Sequence, residues 1–356
     1  MSDNRKEAEE KMAKAIFISG DCWLKVFDLL SPRQLGLGIA LISRRFDFYV
    51  DEHFKTRRWA LKPIQIERKI GKNGTKEMEI ANYDGKPMPI PQIQLLRKVS
   101  GFERINIFFI DHNVITFLHR FRPIFAKCPI NLIINTDSDL ISEFILRNIW
   151  PMLGRNICGI FLFANVFHRL RKFVPSILND CPSLCVVNLC DADIFAEFPA
   201  NDSAAASDGQ AVAKWLFTPR PDGVPKVLKC WWDNNDDRNL ASELEAFKAA
   251  FASASSPVNF IVIISFPYPL PFDFSVVPFD LFNEFTREQL ALKRINNSHR
   301  FLLIRCPIAR DESKWTKWEK EAIGWQIYDQ WNQIDIQINN ERQIGDGLLN
   351  AMIDQK

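Results

Sequence analysis

Between residues 16 and 60 the large apolar side chains recur at intervals of three and four. Trp23, Leu24, Phe27, Leu29 and Leu30 form the first set, the spacing of one face of a helix. Asp21 stands where an N-cap is expected. Ser31-Pro32 stops the segment, because proline disfavours the helical conformation in the residue before it. Leu35, Leu37 and Ile39 mark a second short segment. Ala40, Leu41, Ile42 and Phe46 mark a third, followed by Val50, Phe54 and Trp59. A three-helix unit of this size cannot bury so many large side chains internally. The pattern therefore predicts an apolar face that needs a partner, a second domain, or both.

Beyond residue 60 the period changes. Ile64-Gln65-Ile66 and Met78-Glu79-Ile80 alternate apolar with polar around Gly71-Lys72-Asn73-Gly74, which predicts an antiparallel hairpin. Pro87, Pro89 and Pro91 extend this into a connector over residues 61–100. From Phe102 short apolar runs alternate with helical patterns. Strands are predicted at 105–110, 132–135, 157–163 and 184–189, and helices at 114–125, 140–153 and 167–178. With Ile107, Leu132, Ile160 and Val186 as markers, the steps are 25, 28 and 26 residues, in the range of strand–helix solenoid repeats. Cys181-Pro182-Ser183-Leu184 leads into its strand in the manner of a leucine-rich repeat, and Lys127-Cys128-Pro129 echoes it. The reading is an irregular, leucine-rich-repeat-like α/β layer over residues 101–266 with a mainly parallel sheet; a non-repetitive α/β domain is the alternative. Residues 199–210 are small and polar, the expected flexible insertion. Further on, a helix is predicted at 211–217, a strand at 227–232, a helix at 240–251 and a strand at 259–265. After Pro267, Pro269, Pro271 and Pro278 a terminal unit (267–341) is expected. It comprises a hairpin about Asn296-Asn297-Ser298, a helix from about Asp311 bearing Trp315, Trp318 and Trp325, and a strand at 334–338. Residues 1–15 and 342–356 read as polar tails.

Composition changes little in this picture. The chain has 356 residues, 47% hydrophobic and 25% charged, with 45 basic against 43 acidic residues. A net charge of +2 supplies no general attraction to nucleic acid or to anionic membranes. The first residues are charged throughout and lack the apolar run of a signal peptide. No stretch approaches the roughly 18 apolar residues of a membrane span, so cytoplasm or nucleus is expected. The 29 Phe and 10 Trp promise a large core.

The stretch from Ile18 to Trp59 resembles an F-box. The residues that carry the likeness are Asp21, Leu24, Val26, Phe27, Leu30, Pro32, Leu35, the run Ile42-Ser43-Arg44-Arg45-Phe46, Val50 and Trp59. The family's leading proline is replaced by Ser19 or Gly20. The gap from Leu35 to Ile42 is one residue longer than the family pattern and contains Gly36 and Gly38. The resemblance implies a module that docks a Skp-type adaptor of a cullin–RING ubiquitin ligase. Leu24, Phe27, Leu30, Pro32, Leu35, Ile42, Phe46 and Val50 would be its contact residues, and the remainder of the chain would receive a protein substrate.

Catalytic motifs are not found: there is no G-x-S-x-G, H-E-x-x-H, Walker or dinucleotide pattern. His112 and His119 are read as solvated, and Asp233, Asp236 and Asp237 as a turn. The eight cysteines, of which Cys181, Cys185 and Cys190 are the one cluster, contain no C-x-x-C pair. They are read as free buried thiols rather than metal ligands. Adjacent Trp231 and Trp232 should point to opposite faces of a strand. The expectation is thus a non-catalytic substrate receptor of an SCF-type ubiquitin ligase, without cofactor or metal. An α/β enzyme lacking recognisable motifs and an interaction scaffold with a vestigial F-box are the alternatives.

Overall fold

The computed structural model describes residues 18–30, 34–56, 60–70, 76–82, 99–190, 194–232, 240–266, 277–295, 299–345 and 347–349. Pro32, Trp59, the turn at 71–74, the prolines at 87–91 and 267–271, the aspartates at 233–237 and the turn at 296–298 lie outside them. The chain divides into two compact units, Met1–Trp59 and Ala60–Lys356.

The smaller unit holds α1 (Gly20–Phe27), a π-helical turn (Leu35–Ile39) and α2 (Arg44–Thr56).

The larger unit is mixed α/β and is built on one mostly parallel sheet. Its strands are β2 (Ile64–Ile70), β3 (Lys76–Asn82), β5 (Arg104–Ile107), β6 (Ile130–Thr136), β7 (Ile157–Phe163), β8 (Val186–Cys190), β9 (Lys226–Trp231), β10 (Phe260–Ser265), β11 (Phe279–Asn283), β12 (Glu288–Arg294), β13 (Arg300–Pro307) and β14 (Gln333–Ile338). They lie in the order β11-β12-β13-β10-β9-β8-β7-β6-β14-β5-β2-β3. From β10 to β2 every neighbouring pair is parallel, and both edges are antiparallel. The two-residue strands β1 (Ala60–Leu61) and β4 (Gly101–Phe102) pair separately.

The helices are α3 (His112–Phe125), α4 (Asp139–Asn148), α5 (Ala164–Phe173), α6 (Asp208–Leu216), α7 (Leu240–Ala252) and α8 (Glu312–Gly324). The strands are apolar runs such as FIVIIS and INLIINT, as burial on both faces demands. On one face the registered row Ile107, Ile336, Ile134, Leu162, Leu189, Cys230, Ile264 joins the main core. That core is completed by the buried sides of α3, α4, α5, α6 and α7. On the other face the row Asn106, Asp335, Ile133, Phe161, Asn188, Lys229, Ile263, Leu302 is polar at one end and apolar at the other. Helix α8 covers only the apolar end, through Trp315, Trp318 and Ala322 on Ile261, Ile263 and Ile304.

Several elements depart from expectation. The strand at 334–338 belongs to no separate terminal unit: β14 inserts between β5 and β6, parallel to both. The hairpin expected as a connector is the edge of the main sheet, with β2 parallel to β5. The helix predicted at 140–153 is interrupted after Asn148 and resumes as a single turn, Trp150–Leu153, because Pro151 has no N–H with which to continue it. Within the expected tail, Ile344 is buried and bridges Ile110, while Gln343 Nε2 donates to the Phe108 carbonyl. The insertion read as flexible is clamped. Buried Arg171 donates to the carbonyls of Pro175, Ser203 and Ala206 and to Asp208. Ser207 and Gln210 then close a capping box on α6. A buried guanidinium must spend its donors, and this loop supplies the acceptors.

Trp232 is buried and Trp231 half-exposed, as their alternation requires, and Trp315 is core. His112 and His119 are exposed. Among the described residues no helix is long and apolar enough to cross a membrane.

Candidate partner-docking surface

Helix α1 starts two residues earlier than an N-cap at Asp21 would place it. Ser19 is the N-cap, its Oγ accepting from the Cys22 N–H, with Asp21 in the first turn and Lys25 in the last. Acid at the N-terminus and base at the C-terminus suit the helix dipole. Gly20 rests on the Tyr49 ring of α2, where a Cβ would come to 3.1 Å. Arg45 fastens the same corner by donating to the Ile18 carbonyl (3.3 Å) and to the Tyr49 hydroxyl (3.2 Å).

The long gap after Leu35 has a local answer. Ala40 N–H donates to the Leu35 carbonyl at 2.8 Å, a bond across five residues rather than four. A π-type turn absorbs one residue more than an α-turn. Leu35 is thereby held inward while Leu41 and Ile42 follow at the surface.

The unit's core is small and aromatic. Phe27, Leu35 and Val50 are fully buried, with Trp23, Leu24, Leu30, Ile39, Phe46 and Phe54 packed around them. Trp23 meets Phe46 edge-on at 4.8 Å, and Phe27 meets His53 edge-on at 5.7 Å. Three of the eight expected contact residues (Phe27, Leu35 and Val50) are therefore internal supports. Leu24, Leu30 and Phe46 are half-buried, and Pro32 lies outside the described residues. Of the eight, Ile42 is openly exposed.

Apart from Ile42, the most exposed apolar side chains among the described residues are ones that the pattern did not single out for contact. Leu29 is 86% exposed, Leu41 76%, Ile42 63% and Phe48 60%, with Val26 and Ile18 also exposed. Helical spacing marks which positions are apolar. It does not say which of several apolar positions face inward when too many compete for a small core. Isolated exposed leucines are unremarkable; several such residues on one unit of this size are not.

The larger unit contributes a cleft of about 460 Å³ lined by Pro63, Glu103, Arg104, Tyr328, Asp329, Gln330 and Trp331. Arg104 Nη2 donates to the Tyr328 carbonyl at 2.8 Å and its guanidinium lies over that ring. Exposed Tyr328 and Trp331 give the cleft aromatic walls. Nearby, the polar end of the sheet buries Gln333, Asn106 and Asp335. Burial pushes the Asp335 carboxyl above its ordinary value, partly offset by the donated Gln337 amide and by Arg104. Burial likewise raises Tyr328, with Asp335 adding to the effect. Among the described residues no group of three or more His, Cys, Asp or Glu is placed to hold a metal ion. No family model, curated protein or solved structure matches the chain.

Proposed function

We propose that the chain is a non-catalytic substrate receptor of an SCF-type ubiquitin ligase. Its helical unit would dock a Skp-type adaptor attached to a cullin core, and its α/β unit would hold a protein substrate. The mechanism is tethering: substrate is kept near a ubiquitin-charged enzyme, so the effective concentration rises without chemistry on this chain. The observation that carries the reading is the exposure of the apolar side chains Leu29, Leu41, Ile42 and Phe48 on the unit whose sequence resembles an F-box. The large unit supports it as a receptor. Strands β6 to β10 add side by side in chain order, as strand–helix repeats do, which favours the leucine-rich-repeat-like reading for that stretch. The aromatic cleft at Tyr328 and Trp331 offers rigid anchors of the kind that dominate protein recognition.

The test is binding of the full chain to a purified Skp-type adaptor, with the double variant Leu29→Asp/Ile42→Asp as comparison. Each side chain buried at an interface is worth about 1.5–3 kcal/mol, so the pair should weaken binding by about 100-fold or more. The free chain should keep its circular dichroism, because both positions are solvent-facing. Undiminished binding of the double variant, or no binding by the native chain, overturns the proposal.

A further inference from the structure

Cys158 and Cys185 are 27 residues apart, yet the fold sets them side by side. They sit one step ahead of the first paired residues of β7 and β8, Gly159 and Val186. The Cys158 carbonyl accepts both the Cys185 N–H (2.9 Å) and the Cys185 thiol (3.0 Å). Strands so joined run about 4.8 Å apart, within the roughly 4.4–6.8 Å between Cα atoms that a disulfide spans. Both cysteines are reduced and half-buried, whereas Cys128, Cys181, Cys230 and Cys306 are buried.

A cation completes the site. Arg220 donates through Nε (2.9 Å) and Nη2 (2.5 Å) to Asp222, which fixes the plane of the guanidinium. Its third nitrogen, Nη1, is buried without an oxygen partner, and the guanidinium interacts with the Cys185 thiol. The neighbouring Cys158 thiol, and then Arg220, draw Cys185 down to about 7 against the opposing effect of burial. Cys158 is pushed up by its hydrogen bond with Cys185 and by burial. The buried thiols Cys128, Cys181, Cys230 and Cys306 are likewise pushed up by burial, so Cys185 alone of the shifted thiols is drawn down.

We propose that Cys158 and Cys185 form a covalent modification site for hydroperoxides, with Cys185 as the attacking, first-oxidised thiol, Cys158 as the resolving thiol and Arg220 as the positioning cation. In the first step the Cys185 thiolate attacks one oxygen of hydrogen peroxide. The S–O bond forms, the O–O bond breaks, and hydroxide leaves and takes a proton to become water. The sulfur loses two electrons, the peroxide gains them, and Cys185 is a sulfenic acid. In the second step the Cys158 sulfur attacks Cys185 Sγ. The S–S bond forms, the S–O bond breaks, and the departing hydroxide leaves as water with the Cys158 proton. Two thiols and one peroxide thus become one disulfide and two waters. The product staples β7 to the start of β8.

The test treats the folded full chain with hydrogen peroxide and maps its cysteines by peptide mass spectrometry. The native chain should give a Cys158–Cys185 cross-linked peptide lighter by two hydrogens. Cys158→Ser should leave a Cys185 sulfenic acid that dimedone traps, and Cys185→Ser should leave Cys158 unreacted. Alkylation of Cys185 at pH 7 should run about tenfold faster than that of a short unstructured cysteine peptide, as an about half-ionised thiol requires against a free Cys of pKa about 8.5. Its rate should rise through pH 7, and Arg220→Gln should move that midpoint upward, which a merely structural arginine would not do. A Cys185 rate at or below that of the free cysteine peptide, dimedone on Cys158 instead, or absence of the cross-link in the native chain overturns the proposal.

Discussion

Glu288 and Arg305 meet diagonally across β12 and β13, two residues out of register, in the core of the larger unit, 1% and 0% exposed. Arg305 Nη2 and Nε donate to Glu288 Oε2 at 2.6 and 3.1 Å, and Nη2 also reaches the Ser256 carbonyl at 2.9 Å. Glu288 Oε1 accepts the Val258 N–H at 2.7 Å, and the guanidinium lies over the rings of Phe217 and Phe251. Glu288→Gln keeps the shape of this arrangement and removes its charge. The amide has one acceptor oxygen, while the site presents donors on both sides: the Val258 N–H at one oxygen and the guanidinium at the other. In either orientation an NH₂ group is turned against a donor, and Arg305 is left buried with its charge uncompensated. Breaking a buried pair in this way costs about 3–5 kcal/mol, against total stabilities of about 5–15 kcal/mol for native domains. Urea unfolding followed by tryptophan fluorescence, compared at equal m-value, measures the loss. The double variant Glu288→Gln/Arg305→Met should be more stable than Glu288→Gln alone, because no unpaired charge remains and the Gln oxygen can turn to Val258. A loss under about 1 kcal/mol for the single variant, or additive losses in the double, would refute the reasoning.

Two further outcomes follow from burial. Phe27→Ala should remove about 3–5 kcal/mol from a unit whose fully buried apolar side chains, among the described residues, are Phe27, Leu35 and Val50. Limited proteolysis should then cut within residues 18–56 while the fragment beyond residue 60 survives; equal resistance of both units would count against that core. Asp335 is held above its ordinary pKa by burial, so the folded chain binds its proton more tightly than the unfolded chain. This group's share of stability therefore falls as pH rises from the unfolded carboxyl value through the folded one, and the penalty persists at neutral pH. Asp335→Asn should raise Tm at pH 7, with the gain shrinking as pH is lowered through the acid range; a gain independent of pH, or a loss, contradicts the assignment.

Much of the architecture was legible in the sequence because local pattern and final environment agree. Buried parallel strands need continuous apolar runs, so residues 157–163 were readable to the residue, and 130–136, 226–231 and 260–265 nearly so. Likewise α3, α7 and α8 carry their apolar residues at helical spacing, and the Trp231–Trp232 alternation follows from the pleat alone. What the local pattern did not contain was partnership. Nothing in Ile334-Asp335-Ile336 says that it inserts between β5 and β6, because any open parallel edge would accept its backbone. Residues 199–210 look free until Arg171, from a distant helix, takes up their carbonyls.

The candidate sites divide in the same way. The sequence alone determined that residues 16–60 hold more apolar side chains than a unit of that size can bury. Only the tertiary structure decided that Phe27, Leu35 and Val50 go inside while Leu29, Leu41, Ile42 and Phe48 stay out, since a helix face becomes inner or outer only when its neighbours are placed. The strand–helix period of 25 to 28 residues already contains the distance from Cys158 to Cys185. That the two thiols meet, and that Arg220 joins them, required β7 and β8 to be laid in register, because contact between residues so far apart is a property of packing and not of spacing.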